Sequence, residues 1–221
     1  MSAQRSDALS HKERLLRQGM KHFYAHGYHG TTVDALLEAS GVPKGSFYHH
    51  FGSKQAFGKA VLKRYMQFQL DLLQKWCTEN PELATSAKLC GYFNEMVEQF
   101  VGSGFRRACL AGKFSTEMSA TSESFRTQLD ADMRDWQKHL RTALEQGQEH
   151  GDVRRDRPAG DLADAVLALI QGAFVVALAS RDVSSLTAVI NTIPLLVDAP
   201  PGRSTATHND GESDLAPAPT Q

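Results

Sequence analysis

The chain has 221 residues, 41% of them hydrophobic and 22% charged, so it has enough apolar residues for a core, and disordered and fibrous classes are excluded. The formal net charge is −1, but residues 1–60 hold eight Lys or Arg against four Asp or Glu, a balance of +4 that leaves −5 for the rest. Six of the nine histidines also lie in this first part. A basic module on an acidic body is the distribution expected when only the module meets phosphate.

The cysteines and the apolar runs predict the cellular compartment of the protein. Three cysteines without metal-ligand or disulfide-framework spacing suit free thiols in a reducing environment. The opening segment MSAQRSDALSHKER contains no apolar signal-peptide core. The longest apolar run, from Ala165 to Ala179, is interrupted by Gln171 and is predicted to be too short to span a bilayer. We therefore expect a cytoplasmic protein without a membrane partner.

Helix start and stop signals recur along the chain, whereas strand patterns are almost absent, so the fold is predicted to be all-α. In the first part, helices begin after a capping residue or at a proline and end at a glycine or at Asn80-Pro81. They are predicted at about 11–26, after a capping box formed by Ser10 and Glu13, and then between 31 and 41, 43 and 52, and 53 and 80.

Longer helices with broader apolar faces follow. They are predicted at 83–101, 105–118, 122–150, 159–180 and 184–197. The segment 159–180 is apolar on nearly every side, so it belongs either at the centre of the body or in a subunit interface. Beyond Asp198 the chain is rich in Pro, Ser, Thr and Gly without periodicity, which predicts a disordered tail over 198–221.

The segment from Thr31 to Phe51 has the organisation of a helix-turn-helix, because the short SGVP connection sets two helices at a steep angle. With successive side chains about 100° apart, Phe47 and Phe51 of its second helix point into the three-helix core. The opposite face carries no acidic residue and offers donors to phosphate oxygens and base edges; its residues are Lys44, Gly45, Ser46, Tyr48 and His49. The alternative is an ordinary, semi-buried aromatic cap.

The string GYHGTTVDALLEASGVPKGSFYHHFGSKQAF, residues 27–57, resembles the DNA-binding module of the TetR/AcrR repressors. The resemblance implies an all-helical homodimer whose last two helices form the interface, with a helix-turn-helix domain at 10–56 after a flexible N-terminus at 1–9. A ligand-binding and dimerisation domain then occupies 57–197. The resemblance also implies that Lys44, Gly45 and Ser46 lie closest to the DNA bases. The residues that contact backbone phosphates would be Thr31 or Thr32, Tyr48, His49 and Lys54.

The second informative segment is GFRRACLAGKFSTEM, residues 104–118. If it is helical, Arg106, Cys109 and Lys113 share one face, and cationic neighbours together with a helix N-terminus favour a thiolate that reacts with electrophiles or oxidants. The alternative is that Cys109 is a small buried apolar residue. Neither Cys77 nor Cys90 has comparable surroundings.

The pattern FRRxCLxGxxxxEM in this segment is similar to an electrophile-responsive subgroup of that family, which includes the repressor of the N-ethylmaleimide reductase operon and the acrylate-responsive repressor. The ligand-sensing residues are therefore predicted to be Arg106, Cys109, Lys113, Phe114 and Trp136. Further pocket candidates, most of them expected to be core, are Phe93, Met96, Met118, Phe125 and Phe174.

The sequence carries none of the common enzyme signatures. It contains no P-loop, GxGxxG, GxSxG or HExxH, so we expect no catalytic residue, metal or cofactor. The resulting prediction is a dimeric repressor that binds a palindromic operator in double-stranded DNA and is released by a small-molecule effector. The candidate effector is an electrophile sensed at Cys109. The alternatives are an activator of the same fold, a helical adaptor that no longer binds DNA, and a thiol-dependent enzyme.

Overall fold

Helices make up almost all of the chain in the computed structural model, which describes residues 9–200. Within that range there are nine, and no strand is formed apart from one isolated bridge. The predicted all-α fold is confirmed. The helices are α1 (His11–His26), α2 (Val33–Ser40), α3 (Lys44–Phe51), α4 (Lys54–Glu79), α5 (Thr85–Gly102), α6 (Leu110–Met118), α7 (Glu123–His150), α8 (Ala159–Ser180) and α9 (Ser184–Val197).

Side-chain caps explain why the first helices begin where they do. The hydroxyl oxygens of Ser10, Thr32 and Ser53 each accept a hydrogen bond from the backbone N–H three residues later, at 3.1–3.2 Å. Each bond satisfies one of the N–H groups that the first turn of a helix leaves without a partner. Only the Ser10 half of the predicted capping box forms, because the Glu13 carboxylate pairs with Arg64 on α4 and tethers α1 to that helix.

The N-terminal unit is built around phenylalanine rings. Phe23 of α1, Phe47 of α3 and Phe57 of α4 are fully buried. The rings of Phe23 and Phe47 lie 5.8 and 5.2 Å from that of Phe57. Because Phe57 belongs to this cluster, the first turn of α4 is part of the helix-turn-helix unit, and the boundary predicted between residues 56 and 57 lies inside one continuous helix. A displacement along α4 therefore reaches α3 directly.

The remaining helices form a bundle in which α7 packs against α4 and α8, while α9 packs against α5 and α8. One side of α8 is buried, but Val175 and Val176 on its other side are 65% and 54% exposed. Leu195 on α9 is 81% exposed. These side chains leave an apolar surface uncovered in the single chain, and large surfaces of this kind mark interaction sites.

The structure also changes the membrane prediction. α8 is 22 residues long and contains an 18-residue window with a mean hydropathy of 2.1, so it is long and apolar enough to cross a membrane by length and composition alone. The expectation concerned the shorter run from Ala165 to Ala179, and α8 extends beyond that run at both ends. The core helix of a globular protein meets the same criterion, and α8 packs against α7 and α9.

Two predicted boundaries require correction. The helix expected from residue 105 begins at Leu110, because Gly104 and Phe105 have positive φ angles of 67° and 59° and form a turn. The predicted disordered tail does not begin at 198, since the Ala199 N–H donates to the Asp152 carbonyl at 2.9 Å. The remainder of that tail, 201–221, and residues 1–8 of the predicted flexible N-terminus lie outside the described residues.

Candidate nucleic-acid interface and cysteine site

The outer face of α3 is open to solvent. Gly45 and His49 are exposed, and Tyr48 is 46% exposed. A Cβ atom added to Gly45 would meet nothing within 4 Å, so neighbouring atoms leave this part of the helix surface accessible. Phe47, on the opposite face, is fully buried. The helical wheel therefore predicted both the exposed and the core-facing side of α3.

Two polar residues of α3 are held by neighbouring helices. The Lys44 ammonium lies 3.5 Å from the Asp34 carboxylate of α2, and both side chains are largely exposed. An exposed pair of this kind contributes little to stability and is readily exchanged for another anion. The Ser46 hydroxyl lies 2.8 Å from His11 Nδ1 at the start of α1. His11 is therefore next to the candidate reading face, which the sequence pattern did not indicate.

The two threonines before α2 are not equivalent. Thr32 is exposed and caps α2. Thr31 is only 1% exposed, and its hydroxyl donates to the Gly27 carbonyl at 2.7 Å. This burial is at odds with the predicted phosphate contact of the Thr31 hydroxyl, because the group is turned into the α1–α2 loop.

Lys54 lies in the first turn of α4, where its ammonium sits 4.5 Å from the centroid of the Tyr28 ring. Partial burial lowers the pKa of Lys54 from its ordinary value. The cation is stabilised by the aromatic face of Tyr28 and by the negative charge of Glu117, which acts against the effect of burial.

Cys109 occupies the N-cap of α6, where it is 6% exposed and its Sγ accepts the Gly112 N–H at 3.3 Å. The face predicted for Arg106, Cys109 and Lys113 does not form, because Arg106 precedes the helix and is exposed. The Lys113 ammonium points elsewhere and donates to the Tyr24 carbonyl at 2.9 Å. In place of these cations, the N-terminus of α6 itself faces the sulfur.

Tyrosine hydroxyls surround this cysteine. Burial raises the pKa of Tyr24, Tyr65 and Tyr92 above the ordinary value, and the nearby Cys109 thiol raises each of them further. The Tyr65 hydroxyl oxygen is buried and has no hydrogen-bond partner within residues 9–200. The sulfur therefore lies in a pocket of neutral hydroxyls.

The aromatic residues predicted to line a ligand pocket are mostly core. Phe114 and Trp136, predicted as sensing residues, are fully buried, so neither presents a surface to a ligand in this conformation. Phe93, Phe125 and Met118 are buried in the same way. Two of the candidates, Met96 and Phe174, line a cavity.

A contact between α6 and the helix-turn-helix unit was not anticipated from the sequence. The two carboxylate oxygens of Glu117 accept the backbone N–H groups of Tyr28 at 2.9 Å and His29 at 2.7 Å. Lys113, one turn earlier, holds the end of α1 through the Tyr24 carbonyl. We call these three hydrogen bonds the α6 clamp. Thus α6, whose N-cap is Cys109, is hydrogen-bonded to the C-terminal end of α1 and to the α1–α2 loop.

Comparison with known families agrees with this geometry. The family described as bacterial regulatory proteins, tetR family, matches residues 15–61, and the family described as tetracyclin repressor-like, C-terminal domain, matches residues 86–193. The chain belongs to the TetR family. It is a helix-turn-helix transcriptional regulator, as the recognition-helix motif indicated.

Named relatives of this TetR-family regulator are themselves regulators. The HTH-type transcriptional repressor DhaR of Mycobacterium sp. strain GP1 is 36% identical over 164 residues, which cover 74% of this chain and 80% of DhaR. The transcriptional regulator AcuR of Cereibacter sphaeroides is 34% identical over 159 residues, 72% of each chain.

Solved structures share the fold. The crystal structure of Escherichia coli NemR in its reduced form has a TM-score of 0.79 at 30% identity, covering 86% of this chain and 98% of that one. The regulatory protein TetR from Rhodobacter sphaeroides also has a TM-score of 0.79, at 31% identity, covering 86% of this chain and all of that one.

Proposed function

We propose that this TetR-family regulator is a homodimeric, cytoplasmic repressor that binds a palindromic operator and releases it when an effector binds. The observation that carries the proposal is the outer face of α3, which is exposed, free of acidic side chains and open at Gly45. Such a face fits the major groove, where donors and acceptors on base edges are read. The names of DhaR and NemR, both described as repressors, support repression.

Roles on DNA follow from the position of each side chain. Lys44, Gly45 and Ser46, in the first turn of α3, lie closest to the bases. Residues further along the helix or at neighbouring helix starts contact phosphates, and they are Thr32, Tyr48, His49 and Lys54. The Thr31 hydroxyl takes no part, because it is buried against Gly27.

The dimer forms through α8 and α9 in this proposal. Val175, Val176 and Leu195 are exposed apolar side chains on these two helices, and a second copy of the same surface covers them. Two helices from each copy then pack as a four-helix arrangement. The dimer presents two copies of α3 to successive major grooves, whose spacing is about 34–36 Å.

The sensor in this proposal is Cys109, and the supporting observation is its place at the N-cap of α6. The positive end of the helix stabilises negative charge on sulfur. The thiolate adds to the electron-poor carbon of an activated alkene such as N-ethylmaleimide. A carbon–sulfur bond forms, the π electrons move onto the carbonyl oxygen, and the resulting enolate takes a proton from water.

The α6 clamp carries the signal to the DNA-binding unit. An adduct at Cys109 is too large for a site that is 6% exposed, so the start of α6 moves. Lys113 and Glu117 lie one and two turns further along the same helix and shift with it, displacing α1 and the α1–α2 loop. The two copies of α3 then no longer match the groove spacing. The protein acts by stoichiometric modification, without enzymatic turnover.

A gel-shift with the protein's own upstream DNA tests repressor and sensor separately. The proposal predicts a shift at low salt that N-ethylmaleimide reverses. Cys109→Ser is expected to retain the shift and lose the reversal. Cys77→Ser is expected to behave as wild type, because Cys77 lies in the last turn of α4, where the negative end of the helix disfavours a thiolate, and burial raises the pKa of its thiol. Absence of a shift contradicts the repressor, and equal reversal in Cys109→Ser contradicts the sensor.

A further inference from the structure

A cavity of about 580 Å³ lies between the helix-turn-helix unit and the bundle. Its walls come from α1, α4, α5, the segment between α5 and α6, and Phe174 of α8. The volume lies within the range of about 300–1,000 Å³ typical of sites for small organic ligands. Neither the reading face of α3 nor the proposed dimer surface includes any of its lining residues.

The cavity has an apolar wall. Met20 of α1, Phe68 of α4, Met96 of α5 and Phe174 line it from four different helices. Flexible methionines and aromatic rings accommodate the hydrocarbon part of a ligand without requiring one fixed shape. An occupant with an apolar body is therefore expected.

All charged residues that line the cavity are cationic. Arg17 and Lys21 of α1, Arg64 of α4 and Arg107 before α6 contribute to it, and within residues 9–200 the lining contains no Asp or Glu. All four cationic side chains are exposed and stand at the rim. Glu13 pairs with Arg64 from outside the lining, which leaves three cationic groups without a carboxylate partner in the described part of the chain. Guanidinium groups bind carboxylate and phosphate oxygens in a two-pronged geometry.

The inner end of the cavity lies beside the cysteine site. Tyr65 and Ala108 belong to the lining, and Ala108 precedes Cys109. Since α1 supplies one wall and α4 and α5 supply the others, an occupant fixes the distance between the DNA-binding unit and the bundle.

We propose that this cavity is the effector site and that its ligand is a small organic anion, an apolar body with one carboxylate or phosphate head group at the cationic rim. The inference rests on the proposed function, because it names the class of effector that a ligand-controlled repressor would bind. It does not require the effector to react with Cys109.

Isothermal titration calorimetry on the full-length protein without DNA tests the site independently of operator binding. The probes are phenylpropanoate, its neutral amide phenylpropanamide, and phenyl phosphate. Phenylpropanoate, phenyl phosphate or both are expected to bind at least about tenfold more tightly than the amide, and the comparison between the two anions identifies the head group. Arg17→Gln, Lys21→Gln and Arg107→Gln should each weaken the tighter anion by about tenfold. Lys75→Gln, which removes an exposed charge of α4 outside the cavity, should not.

The outcomes separate the two proposals. Equal binding of the amide and both anions, no binding of any probe, or a loss in Lys75→Gln equal to that in Arg107→Gln would overturn the anion site. Each of these results leaves the gel-shift untouched. Conversely, the protein could bind the anion through Arg107 and yet fail to shift its upstream DNA. That result would support the anion site and contradict the proposal that the protein is a repressor.

Discussion

Removing the Glu117 carboxylate is the most informative perturbation of the link between α6 and the DNA-binding unit. Glu117 is half-buried, and its two oxygens accept the N–H groups of Tyr28 and His29. Both N–H groups belong to the loop after α1. Glu117→Ala removes both acceptors and leaves the donors to solvent or unpaired.

The magnitude follows from these two bonds. A hydrogen bond to a charged group contributes about 1.5–3 kcal/mol. The Tyr28 bond is partly buried and the His29 bond is exposed, so full values for both would overestimate the loss. We expect Glu117→Ala to lower the free energy of unfolding by about 2–3 kcal/mol. For a chain of this size that is a fall in Tm of about 4–12 °C.

Urea unfolding followed by circular dichroism, at one protein concentration, measures this loss. Glu98→Ala is the matched control, because Glu98 is an exposed carboxylate on α5. The same variants are then tested for release of DNA by N-ethylmaleimide, which Glu117→Ala should weaken. If Glu117→Ala loses no more stability than Glu98→Ala and releases DNA normally, the α6 clamp neither stabilises nor couples the two units.

Three further predictions concern α1 and α3. Gly45→Leu should keep the Tm, because the added side chain points into open space, but should lose at least about tenfold in operator affinity by anisotropy; unchanged affinity would exclude close approach at Gly45. Gly19→Ala should lower the free energy of unfolding in urea by about 1–3 kcal/mol, because its Cβ would clash with the buried Phe57 ring; an unchanged free energy would mean that the ring moves freely. The hydrogen bond from Arg64 holds the pKa of Glu13 below its ordinary 4.5. The pair therefore adds less than about 1 kcal/mol to the free energy of unfolding above pH 4.5, and this contribution is lost as the pH falls through the lowered pKa. Glu13→Gln should remove this part of the pH dependence of unfolding, and a pH dependence identical to that of the wild type would contradict the role of the pair.

Local signals in the sequence were sufficient for most of the fold. Caps and glycines are read within three or four residues of where they act, so both ends of α1 agree with the structure. Neither α8 nor α9 has a side-chain cap, and their bounds agree because each is one continuous apolar segment. Helical periodicity likewise predicted that Phe47 is buried. The start of α6 was missed, because the turn at Gly104 and Phe105 depends on positive φ angles, and phenylalanine gives no signal for such a backbone.

The candidate sites were harder to predict from the sequence than the helices, since they depend on contacts between distant parts of the chain. Glu117 binds a loop 88 and 89 residues away, and His11 reaches Ser46 across 35 residues. No spacing rule predicts such pairs. The same reason explains Lys113, which shares a sequence segment with Cys109 but bonds to Tyr24 instead. Burial of Thr31, next to the exposed Thr32, is likewise decided by the fold.

Hydroxyl-radical footprinting of the upstream DNA shows whether two copies of α3 read an operator together. We expect two protected half-sites whose centres lie about 34–36 Å apart, on one side of the duplex. Tyr48→Ala should lose both together, whereas Lys75→Gln should retain them. A single protected site, or no protection at low salt, would contradict the account.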